Sequence, residues 1–135
     1  MTSIYIVKMS THKYIFLLNR FYHKWMKDQS DSLASLLNNG IPVLVYHGNF
    51  DLVLPVNGMS EALYNLQWNG LQKWSKAENK PYFYSDINGD KELMGYIQSA
   101  DGLSFVVVRN AGHMVPIDSP SWSLKIVEDF LKKTE

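Results

Sequence analysis

Two runs of β-branched and aliphatic residues constrain this chain more than any other feature. They are Ile-Pro-Val-Leu-Val-Tyr (41–46) and Leu-Ser-Phe-Val-Val-Val (103–108). The first run is apolar at both parities, and such a strand is buried on both faces, as happens when helices cover a sheet from each side. The residues before the first run supply such a helix. Ser30 or Asp31 can cap it, Leu33, Leu36 and Leu37 mark one face, and Asn38-Asn39-Gly40 end it. Helix, short loop and buried strand in that order predict an α/β fold with a mostly parallel sheet. The second run follows Asp101-Gly102, with Gly95–Ala100 on the other side. Asp-Gly supplies the positive φ values of a two-residue hairpin turn.

The remaining elements follow from local signals. Pro55 turns the chain into a helix over Met59–Leu66, and a helical or irregular stretch with Trp74 on one side runs to Asn79 and stops at Pro81. Tyr82-Phe83-Tyr84 has strand character, and Ser85–Lys91 reads as a polar loop. Ser119 and Pro120 open a last helix with Trp122, Ile126, Val127, Phe130 and Leu131 at helical spacing, and Lys132 and Lys133 suit its negative end. With 135 residues and 46% hydrophobic content the chain supports one core. No repeat or linker divides it.

Composition excludes several functions. The net charge is zero and Lys and Arg are scattered, so nucleic acid is not an expected partner. The absence of cysteine rules out a disulfide within the chain, a thiolate nucleophile and a cysteine-based zinc site. His12, His23, His47 and His113 lack ligand spacing, so no metal is expected. The apolar run Tyr14–Leu18 is too short for a signal-peptide core or a membrane span, no Asn-x-Ser/Thr sequon occurs, and residues 1–20 fit an amphipathic helix or a loose arm equally. Neither a targeting segment nor a membrane partner is expected.

Two residues carry chemistry. Asp51 ends Val-Leu-Val-Tyr-His-Gly-Asn-Phe-Asp and His113 sits in Arg-Asn-Ala-Gly-His-Met-Val-Pro. Each follows a strand through a Gly-containing loop, and strand C-terminal ends are where open α/β sheets bind ligands. Alone, an Asp there is a common turn former and a His a common structural residue. As a pair they suit a hydrolytic triad, in which the carboxylate fixes the imidazole tautomer and stabilises the imidazolium. His47, four residues before Asp51, borders the same region but reads as a strand-end residue. No Gly-x-Ser-x-Gly elbow precedes the pair.

The segments Tyr46-His47-Gly48-Asn49-Phe50-Asp51 and Ala111-Gly112-His113-Met114-Val115-Pro116, followed by Asp118, Pro120 and a closing helix, resemble the C-terminal end of the serine carboxypeptidases. Leu-Leu-Asn-Asn-Gly-Ile (36–41), Trp68-Asn69-Gly70 and Gly95-Tyr96 look closest to the vitellogenic-like branch. The likeness runs from about Phe21 to the end, so residues 21–135 are expected to be the C-terminal portion of an α/β-hydrolase domain. An incomplete sheet, a hairpin and flanking helices would then follow an arm over 1–20.

The resemblance implies release of C-terminal residues from peptides, an acidic optimum and a secretory or lysosomal address. It makes Asp51 the triad acid, His113 the general base and Met114 a substrate-lining residue, with no cofactor. Asp118 and Pro120 shape the loop. The family's Gly-Glu-Ser-Tyr-Gly and Trp-Asn-Gly-Gly-Pro-Gly stretches do not occur, and Ser60, Ser85, Ser99, Ser104 and Ser119 stand in no elbow. The chain is therefore expected to be a truncated product that is inactive alone, because triad members act as a unit. An unpaired sheet edge is expected to recruit a partner, which gives a second reading as a non-catalytic binding module.

Overall fold

The computed structural model describes residues 5–6 and 29–134. Among these, five strands form one mixed sheet: β1 (Tyr5–Ile6), β2 (Val43–Gly48), β3 (Lys80–Ser85), β4 (Lys91–Ala100) and β5 (Leu103–Val108), in the order β1-β2-β5-β4-β3. Helices α1 (Ser30–Asn38), α2 (Val56–Tyr64), α3 (Leu71–Ser75), α4 (Val115–Asp118) and α5 (Pro120–Thr134) connect and follow them. Apart from β1, the segment 1–20 lies outside the described residues, as do His12 and His23.

The sheet is not mostly parallel. β1, β2 and β5 run parallel, while β4 and β3 are antiparallel additions beyond β5. The reason is local: tight turns force antiparallel neighbours, whereas parallel ones need a crossover. Asp101 (φ 47°) and Gly102 (φ 88°) both adopt positive φ at the β4–β5 turn, as the Asp-Gly signal requires. At the other hairpin, Asp86 Oδ1 accepts from the amides of Asn88 and Asp90 at 2.9 and 2.8 Å. That Asx geometry closes the turn. The helical stretch ends before Pro81, which lies inside β3; there, at the edge of the sheet order, a proline sacrifices no ladder bond.

Both faces of the sheet are covered. Val43, Val45, Leu103 and Phe105 pack with Ala34, Leu37, Leu63, Leu66, Trp68 and Trp74. Leu44, Val106 and Val108 face the other way, against Met94, Ala111, Val115, Ile126 and Phe130. The alternation of neighbours between two cores explains why these strands carry apolar residues at both parities. Each fully buried aliphatic side chain contributes about 1.5–3 kcal/mol. Ile41-Pro42 precede the strand and act in the helix stop: Gly40 (φ 70°) closes α1, with Gly40 N bonding Leu37 O at 3.0 Å and Ile41 N bonding Leu36 O at 3.0 Å. Helix boundaries differ from expectation at α2, which starts at Val56, directly after Pro55, and at α3, which ends at Ser75. The described helices contain no stretch long and apolar enough to cross a membrane.

Candidate active site

Because β2 and β5 are parallel neighbours with Gly48 opposite Val108, both finish at the same edge of the sheet. Backbone bonds stitch the loops that leave them. Asn49 N donates to Val108 O and Phe50 N to Ala111 O, each at 2.9 Å. This approach leaves no room for a side chain at Gly48. A Cβ there would stand 2.2 Å from the Ala111 carbonyl oxygen and 2.3 Å from that of Gly112. Asn110 turns the second loop with φ 55°, a conformation its short amide tolerates. Asp118 Oδ2 then accepts from Gly112 N at 2.8 Å and anchors α4 to the His113 loop.

This framework brings Asp51 and His113 together, although 62 residues separate them. Asp51 Oδ2 lies 2.8 Å from His113 Nδ1, and its side chain is 3% exposed against 14% for the imidazole. A carboxylate can only accept, so the proton of this bond sits on Nδ1. The other carboxylate oxygen, Oδ1, accepts from the amides of Val53 at 2.8 Å and Leu54 at 2.9 Å. Burial pushes the Asp51 pKa up, but the Leu54 amide, the His113 ring and the Val53 amide together outweigh it. The carboxyl titrates below its ordinary value.

A second imidazole joins them. His47 Nε2 contacts the Leu54 carbonyl and lies 3.3 Å from Asp51 Oδ2. His47 is thus part of the constellation and not merely the end of a strand. Its four-residue spacing to Asp51 was the visible signal, but the loop reversal that folds them together was not encoded in any local pattern. A cavity of about 120 Å³ opens here, lined by Leu33, Tyr46, His47, Met59, His113 and Val115 among others. Met114 stands at the start of α4, its carbonyl accepting from the amides of Ile117 and Asp118 at 2.8 and 3.1 Å. It is not among the residues lining the cavity.

Among the described residues no serine lines the cavity. Ser99 and Ser104 bond each other across the hairpin at 2.8 Å. No cluster of three or more His, Cys, Asp or Glu side chains among the described residues is arranged to hold a metal ion. What the site can do chemically is hold an imidazole in a defined tautomer beside a buried, ionised carboxylate.

Comparison with known proteins identifies the family. A family model described as serine carboxypeptidase matches residues 7–133. The venom serine carboxypeptidase of Apis mellifera is 39% identical over 111 residues, covering 79% of this chain and 23% of that protein. Serine carboxypeptidase 3 of Triticum aestivum is 33% identical over 106 residues, 78% of this chain and 20% of its own length. A crystal structure of a prohormone-processing carboxypeptidase from Saccharomyces cerevisiae superimposes with a TM-score of 0.71 at 29% identity, over 79% of this chain and 23% of that one. The chain therefore spans about a fifth to a quarter of the length of these relatives.

Proposed function

The chain belongs to the serine carboxypeptidase family, and on that premise we propose that Asp51 and His113 are the acid and base of a hydrolytic triad. The substrates are peptides, and the reaction releases their C-terminal residues. His113 takes the proton of a serine hydroxyl through Nε2 and returns it to the leaving amine, while Asp51 holds the Nδ1–H tautomer and stabilises the imidazolium. The 2.8 Å contact between Asp51 Oδ2 and His113 Nδ1, at the ends of adjacent parallel strands, carries this reading.

These 135 residues contain no Gly-x-Ser-x-Gly. The serine and the oxyanion-binding amides are accordingly supplied from outside them, and the chain alone does not cleave. Two assays test the two halves of the claim. The purified chain is expected to leave a blocked dipeptide intact, and hydrolysis that disappears in His113→Ala would refute inactivity. Replacing the equivalent segment of a full-length serine carboxypeptidase by residues 29–134 should preserve activity, and a chimera that folds but is indifferent to His113→Ala would refute the triad roles.

The second reading, recruitment of a polypeptide by strand addition, has β3 as its favouring observation, because this strand closes the sheet order. The strand also carries Lys80, Pro81 and a bulge between Tyr82 and Phe83. Those devices blunt an edge, which makes the hydrolytic reading the stronger one.

A further inference from the structure

We propose that His47 is a positioning residue for the Asp51–His113 pair, acting on the carboxylate from both of its oxygens. The proposal rests on the triad reading above. A carbonyl oxygen only accepts, so the contact of His47 Nε2 with the Leu54 carbonyl puts the His47 proton on Nε2. That same nitrogen lies 3.3 Å from Asp51 Oδ2, where His113 Nδ1 already donates at 2.8 Å. Oδ1 meanwhile receives the amides of Val53 and Leu54. Three donors thus hold the carboxylate with the His47 ring packed beside it, and it cannot turn about its Cβ–Cγ bond without losing them.

His47 is central to this lock because it acts twice. Directly, it faces the oxygen that orients His113. Indirectly, its bond to the Leu54 carbonyl restrains the residue whose amide grips Oδ1. The imidazole is buried, with 7% of its side chain exposed. His47 presents Nε2 to the carboxylate and His113 presents Nδ1. The two rings must therefore be opposite tautomers.

Nitrogen NMR of the chain tests this. In the unaltered protein the Nε2–H tautomer is expected on His47 and the Nδ1–H tautomer on His113. In His47→Leu, solvent exchange of the His113 Nδ1 proton should accelerate about tenfold or more, the scale of one lost hydrogen bond to a charged group. His47→Gln, whose amide nitrogen reaches about as far as Nε2, should restore slow exchange. A purely structural role would not distinguish Gln from Leu in this way. Unchanged exchange in His47→Leu, or a Nδ1–H tautomer on His47, overturns the proposal. If His47→Leu does not fold, as judged by circular dichroism, the tautomers of the unaltered chain decide. A missing His113 Nδ1 proton signal in the unaltered chain would overturn the triad reading itself and this proposal with it.

Discussion

Asp51 and Asp129 are two carboxylates with similar electrostatics and different chemistry. Asp129 lies on α5, where Lys125 Nζ approaches both of its oxygens at 2.7 Å and the Tyr82 hydroxyl donates to Oδ2 at 2.6 Å. Burial pushes its pKa up, but bonds from Lys125 and Tyr82 and the charges of Lys125 and Lys132 outweigh that, so it too titrates low. Tyr82 is driven far above the ordinary phenol value by its own burial and by Asp129. Both acids are held by bonds from their neighbours, Asp51 buried and Asp129 partly so. At Asp129, however, the partners are an ammonium and a phenol hydroxyl. At Asp51 the partner is an imidazole, which has a second nitrogen able to take a proton, beside a cavity. A depressed carboxyl pKa therefore marks a satisfied pair, and the nature of the partner marks a site.

The largest effect should separate the two acids completely. In an active chimera, His113→Ala should cost about a million-fold in turnover and Asp51→Asn about ten thousand-fold. Asp129→Asn should stay within about twofold, as changes away from the chemistry do. A large loss in Asp129→Asn, seen in kcat with unchanged stability, would break the comparison.

Stability sharpens it next. Gly48→Ala should destabilise the chain by about 1–3 kcal/mol in urea titration, because the new Cβ would meet two backbone carbonyls that have no way to yield. Tyr82→Phe, on the other side, should cost about 1 kcal/mol by the same measurement, for one lost bond to a carboxylate.

In acid the two regions should behave alike. A carboxyl with a lowered folded pKa stabilises the protein above its unfolded value, and that contribution disappears as pH falls through the folded pKa. Asp51 and Asp129 are both lowered. Both Asp51→Asn and Asp129→Asn should therefore flatten the acid limb of stability against pH, measured by thermal melting from neutral to acidic buffer. Flattening in only one of them would show that the other is not ionically held. The smallest effect belongs to Lys125→Ala, about 0.5 kcal/mol, since an i,i+4 pair on a helix surface is worth no more.

Legibility in sequence tracked the range of the interactions. The β4–β5 hairpin was readable because Asp101 and Gly102 meet the whole conformational requirement of the turn between them. The last helix was readable from Pro120 and the spacing of Ile126 and Phe130, both buried in the structure. Pro81 was readable as the limit of the preceding helix but not as a strand residue, because the position of β3 in the sheet is not a local property. His47 was undervalued for a similar reason: what it does depends on where the Leu54 carbonyl comes to lie. The Tyr82–Asp129 bond, across 47 residues, had no signal at all.

By itself the sequence determined the doubly buried strand β2, the Asp-Gly turn and the placing of an acid and an imidazole each in the loop after a strand. Each of these follows from backbone preference or apolar periodicity within a few residues. Only the tertiary structure decided that β5 would pair in parallel with β2, that Gly48 would press against the Ala111 and Gly112 carbonyls, and that one carboxylate would gather two imidazoles and two amides. Those outcomes depend on distances between segments far apart in the chain, which packing sets and composition does not record.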